Sequence, residues 1–146
     1  MATTDAGREA WLCMVELFTS QENARRFSDA AESIDLSCSM LRGLLRLAPG
    51  EARPMRALVE EWHCDPSWVT SIVDELEQRD LVERRVDDVD RRAKTVTLTA
   101  QGEKQREQAF SVLSVPPPGI AELSGPEQRT LRDLLRRATA GAPQLP

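Results

Sequence analysis

Tyrosine is absent from this chain, histidine occurs once, and aromatic side chains make up only 4% of its 146 residues. With His63 alone, and with no Gly-rich phosphate loop, no nucleophile–base constellation can be assembled, so an enzyme is not expected. Cysteine is scarce too. Cys13, Cys38 and Cys64 match no metal-ligand spacing, and no metal or cofactor is expected. An odd number of thiols argues against a purely intramolecular disulfide framework and points to a reducing cytoplasm. No run of about 18 apolar residues is present, so no membrane-spanning helix is expected. Asp5, Arg8 and Glu9 ahead of a short apolar patch do not read as a signal peptide. Positive charge is not in excess either: the formal net charge is −5. That argues against a surface coated for nonspecific nucleic-acid binding. It leaves room for a local basic site, because salt confines charge effects to about 8 Å.

What is present is one domain's length with 40% hydrophobic residues, enough for a modest core. The stretch 53–102 organises the rest. Met55, Leu58, Val59 and Trp62 lie at helical spacing and predict a helix beginning near Pro54. His63 and Cys64 make a turn. Asp65 is a good N-cap, and Pro66 suits the first helical position. Val69, Ile72, Val73 and Leu76 form the inner face of this second helix, and Ser67, Thr70, Ser71 and Asp74 the outer one. Two short amphipathic helices so close in sequence must pack on each other. A strand is predicted over 81–86 and another over 95–99, whose alternation turns Val96 and Leu98 inward. The loop between them holds Asp87, Asp88, Asp90, Arg91, Arg92 and Lys94, with Val89 its only large apolar residue. Helix, turn, helix and charged hairpin together make a winged helix-turn-helix, a unit that usually serves duplex DNA. Its second helix enters the major groove by its N-terminal end, and an Arg-tipped hairpin reaches the minor groove.

The flanks read as helices. One is predicted over 10–31, with Trp11, Val15 and Phe18 on one face. Another is predicted over 35–47, with Met40, Leu41, Leu44 and Leu45 inward. Gly43 weakens this second one by about 1 kcal/mol relative to Ala but permits close packing. After the hairpin, Thr99 caps a mostly polar helix running to about Leu113, and Pro116, Pro117 and Pro118 then force a break. A last helix begins at Ser124 with a Ser124/Glu127 capping box, burying Leu131, Leu134, Leu135 and Ala138, and 141–146 reads as a frayed tail. The count is six helices and one two-stranded wing, a mainly α class with a small β-wing.

The run from Asp74 through Leu76, Glu77, Leu81, Val82 and Glu83 to Arg84 resembles a D-x-L-E-x-x-G-L-V-E-R stretch. Asp87, Asp90, Arg91 and Arg92, followed by Leu98, Thr99 and Gly102, resemble a D-x-x-D-R-R … L-T-x-x-G wing. Both patterns are those of the MarR family of bacterial transcriptional regulators, and the resemblance extends from about Asp35 to the last helix. It implies one MarR-like domain over 1–146, with a winged helix-turn-helix lobe at 35–102 and dimerisation helices at 8–31 and 103–140. It further implies a homodimer on a palindromic operator, its recognition helices about 34 Å apart, regulating transcription, in the usual case as a repressor. Release by a small aromatic effector in a cleft between dimer arm and lobe also belongs to the pattern. By position Trp11, Val15, Phe18, Met40 and Leu44 are candidates to line that cleft, against the weightier reading that they are core and dimer packing.

Ser67, Thr70 and Ser71 are the candidate groove contacts, although hydroxyls position better than they discriminate. Trp68 stands where the family has a small residue. It either covers a thymine methyl or the sugar backbone, or folds into the core. Arg92 is the strongest single candidate for DNA. The resemblance gives it Asp90 as a brace, which would reduce the roughly 2 kcal/mol cost of ordering a loose Arg side chain. Arg91 and Lys94 are expected on phosphates, with Arg56 and Arg53 in partial support. One of Arg84 and Arg85 is expected to be structural. Many relatives carry Arg where Ser71 and Glu75 stand. Here the recognition helix holds Asp65, Asp74, Glu75 and Glu77 against Arg79 alone. Backbone neutralisation supplies much of the affinity for DNA, so binding is expected to be weak or strongly salt-dependent at the wing. The alternative function is a winged-helix dimer serving as a protein-interaction module. Cys13 lies in the first helix, where some relatives sense oxidants, but it has no neighbouring base to favour the thiolate.

Overall fold

The computed structural model describes residues 5–140. Along the chain come α1 (Asp5–Thr19), α2 (Gln21–Glu32), α3 (Cys38–Leu45), β1 (Arg53–Pro54), α4 (Met55–Trp62) and α5 (Pro66–Gln78). Then follow β2 (Val82–Val86), β3 (Lys94–Leu98), α6 (Ala100–Leu113), α7 (Pro118–Ala121) and α8 (Gly125–Ala138). There are thus eight helices among the described residues where the sequence suggests six.

One of the extra helices comes from a break at Ser20 in the predicted helix 10–31. No Gly or Pro causes it. Ser20 is extended, and its Oγ accepts the Asn23 N–H at 3.1 Å. It also donates to the Leu17 carbonyl at 2.8 Å, while Thr19 Oγ1 donates to Val15 and Asn23 Nδ2 to Phe18. Side chains thereby satisfy the carbonyls and amides that a helix end orphans. The other extra helix, α7, is a single turn between the proline run and α8. The predicted helix 35–47 is shorter, because Asp35 lies at φ 54 and closes α2, and Ser37 then caps α3 through the Met40 N–H at 3.2 Å.

The core lies where α2, α3, α4, α5 and one side of α6 meet the sheet. Leu41, Leu44, Leu58, Val69, Val73, Leu76 and Val96 are fully buried in it. Gly43 serves the close packing expected of it: a Cβ there would lie 2.6 Å from Ile72 Cγ2 of α5. The sheet has three strands in the order β1-β3-β2, one more than the predicted pair. Pro54 takes an edge place in it, opposite Thr95, where its missing N–H costs no ladder bond. The hairpin runs in register from Val82 opposite Leu98 to Val86 opposite Lys94, which puts Val96 and Leu98 inside as their alternation predicts.

The pattern Leu-Thr-x-x-Gly now has a physical reason. The Thr99 N–H bonds the Leu81 carbonyl at 3.0 Å, and Thr99 Oγ1 accepts the Gly102 N–H at 2.9 Å. A side chain at position 102 would overlap the Leu81 carbonyl oxygen. Glycine therefore lets α6 start directly against the link from α5 to β2.

The capping box of α8 forms, Ser124 N–H and Oγ both meeting Glu127 Oε2. Its leucines, expected to be buried, are not: Leu134 is 54% and Leu135 39% exposed, and α8 buries no residue. α1 is equally bare, with Trp11 61% and Phe18 70% exposed. Both helices are amphipathic, and among the described residues their apolar stripes stay largely uncovered. The tail at 141–146 lies outside the described residues.

Candidate nucleic-acid interface

Asp65 starts α5 as expected. Its Oδ1 accepts the Ser67 N–H at 2.8 Å and also the Ser67 hydroxyl. These bonds, the hydroxyl first, hold its carboxyl below the ordinary value. His63, at φ 50, closes α4 and sets the turn between the two helices. Ser67, Thr70 and Ser71 all face solvent along α5. Their hydroxyls are engaged locally, Thr70 with the Pro66 carbonyl at 2.9 Å and Ser71 with Glu75 Oε1 at 3.4 Å. Trp68 leaves this row. It is half-buried and meets Trp62 edge-on, ring centroids 6.2 Å apart, so the core alternative for it is the observed one.

The acidic character of α5 is partly cancelled from below. Arg84 of β2, its side chain only 16% exposed, binds Asp74 Oδ1 and Glu77 Oε2, each at 2.6 Å. Its backbone N–H also donates to Glu77 Oε1 at 3.2 Å. Arg84 is therefore the structural member of the Arg84–Arg85 pair. Arg79 turns away to the Asp35 carbonyl (2.7 Å) and carboxylate (3.3 Å), not to the acids of α5. Among the described residues no cation pairs with Glu75.

The tip of the wing is ordered by its own aspartates. Asp87 Oδ1 accepts the N–H groups of Val89 (2.8 Å) and Asp90 (3.1 Å), and the Asp87 N–H donates to the Ala93 carbonyl at 3.0 Å. Those backbone bonds, ahead of the Arg56 charge, hold the Asp87 carboxyl below its ordinary value. Asp90 does brace Arg92, but through the backbone: its Oδ1 accepts the Arg92 N–H at 3.1 Å. The expected carboxylate–guanidinium pair is not formed, because a two-residue Asx turn is satisfied locally and leaves the long side chain outside. Arg91, Arg92 and Lys94 are exposed, and none enters an ion pair among the described residues. Arg56, at the start of α4, is exposed and near enough to Asp87 for its charge to act there, whereas Arg53 pairs with Glu61. Val89 stands open at the tip.

The five candidate effector residues do not line one cleft in a single chain. Met40 and Leu44 are sealed in the core, while Trp11 and Phe18 stand in solvent on α1 with Val15 half-covered between them. Cys13 is exposed on the same helix, and all three thiols are unpaired. No group of ligands suited to a metal ion occurs among the described residues.

Sequence reasoning does not give the partners of two arginines. Arg84 is one, expected only as one of a pair to be structural; its partners lie seven and ten residues back, on another element. The other is Arg106, read as part of a polar helix face. It is buried, donates to the Leu45 carbonyl at the end of α3 (3.3 Å) and stacks over Phe110 at 5.0 Å. Burial lowers its pKa.

Residues 36–94 match the model of the MarR family. In sequence the chain is similar to the organic hydroperoxide resistance transcriptional regulator of Bacillus subtilis (strain 168), 22% identical over 127 residues, covering 87% of this chain and 86% of the relative. In fold it is similar to wild-type MarR from E. coli, with a TM-score of 0.72 at 20% identity, covering 86% of this chain and 93% of that one. It is likewise similar to YusO of Bacillus subtilis, with a TM-score of 0.68 at 20% identity, covering 97% and 100%. A third match is the F27L mutant of S. aureus MepR bound to an oligodeoxyribonucleotide, with a TM-score of 0.62 at 18% identity, covering 91% and 98%. Residues 36–94 thus match the MarR family model, within a chain that takes the fold of these winged helix-turn-helix proteins over most of its length.

Proposed function

We propose that this chain is a homodimeric DNA-binding regulator of transcription, a repressor that occupies an inverted-repeat operator. The observation that carries this reading is the wing: three cations, Arg91, Arg92 and Lys94, held on a self-braced hairpin and, among the described residues, committed to no carboxylate. Beside them the hydroxyl face of α5 is open, of a size to enter a major groove. A MarR-fold relative that binds an oligonucleotide adds support. The bare apolar stripes of α1 and α8 support a dimer arm built from 8–31 and 103–140 around the lobe at 35–102. A small aromatic effector would find its site at the α1 surface around Trp11 and Phe18, walled in by the second chain.

The alternative, a protein-interaction module with weak DNA binding, draws its support from the acids of α5. That support is reduced by the Arg84 clamp on Asp74 and Glu77. A gel shift with the upstream region of the chain's own gene, at two salt concentrations, separates the two readings. The expected result is a shift that weakens steeply with salt and is lost in an Arg91→Ala, Arg92→Ala variant. Each phosphate contact removed should lower the salt slope by about 0.9. Tight binding unchanged in that variant, or no binding at low salt, would rule the reading out.

A further inference from the structure

The solvent face of α5 holds hydroxyls, carboxylates and one amide, Ser67, Thr70, Ser71, Asp74, Glu75 and Gln78, and no cation. Two neighbouring acids are spoken for. Asp74 and Glu77 both close on Arg84. Glu75 differs: among the described residues its one partner is the Ser71 hydroxyl a turn earlier, at 3.4 Å. A carboxylate only accepts hydrogen bonds. In the major groove the donors are the exocyclic amines of cytosine and adenine. Guanine O6 and N7, thymine O4 and every phosphate repel an anion. Adenine sets its acceptor N7 beside its amine, which leaves cytosine N4 as the partner of least conflict. A charge so placed weakens binding wherever it misses that amine, so it acts chiefly by discrimination.

We propose that Glu75 is a specificity-determining residue that selects a cytosine in each operator half-site, with Ser71 positioning its carboxylate. This rests on the DNA-binding reading above. The test is selection of duplexes from a randomised pool by the full chain, as wild type, E75Q and E75A, followed by titration of the enriched site and its single-pair variants. Wild type should enrich an inverted repeat with cytosine at one position per half-site. E75Q should move that position toward adenine, which glutamine pairs through N6 and N7. E75A should leave it without preference, the discrimination falling about tenfold while the other positions hold. Glu75 is exposed, and unchanged thermal melting would confirm that both variants fold. An enriched site identical in all three proteins, or tighter binding of both variants to every duplex alike, would overturn the proposal and leave DNA binding standing. A wild-type chain that enriches nothing would overturn both.

Discussion

Asp80 stands where the family stretch has glycine, and its φ is +59. The Leu81 N–H bonds the Leu76 carbonyl and the Asp80 N–H bonds that of Glu77, both at 3.0 Å, so α5 ends in a Schellman motif with an aspartate in the left-handed place. An L residue pays about 1–2 kcal/mol there, and glycine would return about 0.4–1 of that in unfolded-chain freedom. Asp80→Gly should therefore stabilise the chain, raising Tm by about 2–4 °C in a thermal melt. Gly102→Ala should do the reverse. The obstacle to its methyl group is the Leu81 backbone, which cannot rotate away, so the loss in a denaturant titration should reach the top of the roughly 1–3 kcal/mol seen for overpacking. Both positions sit in motifs legible in the sequence. Their strain is not legible, because φ and the approach of α6 to Leu81 exist only in the folded chain.

At the level of elements, the second helix of the pair, its Asp65 cap, the inward strand residues and the charged tip follow from local spacing, and the structure has them where spacing puts them. The misses have local causes too. The Ser20 break relies on hydroxyl and amide side chains, which mark a helix end more weakly than Gly or Pro. β1 is two residues long, too short for any alternation to show. The Arg84 clamp joins a helix to a strand, and no spacing rule reaches across that angle. Arg84→Ala should cost stability by about 1 kcal/mol, the partners being half in solvent. It should also weaken duplex binding, because Asp74 and Glu77 would then face phosphate unshielded. Acid should loosen these elements as well. Asp65, Asp87 and Glu127 all have lowered folded pKa values, through bonds to Ser67, to Val89 and Asp90, and to Ser124. Their contribution is fully present above the ordinary carboxylate value of about 4 and is lost as pH falls through the lowered values. Circular dichroism melts from pH 6 downward should show Tm falling fastest below about pH 4.

At the level of the whole molecule, the described chain is a sealed lobe with two uncovered arms. Arg26 of α2 reaches the Val115 carbonyl just beyond α6, tying the two arms near their roots. Replacing Trp11 and Leu134 with Asp should leave the lobe folded, since neither residue touches its core. It should convert a dimer into a monomer in analytical ultracentrifugation, with duplex affinity falling in parallel.

Those arms have a bearing on how the cell would experience this protein. If α1 and α8 are covered only by another copy of themselves, the species able to grip both halves of a control site forms by a second-order encounter. At low abundance, halving synthesis would then cut the gripping species about fourfold. A modest change in gene dosage or in the rate of degradation would become a sharp change in output, with no signalling molecule required.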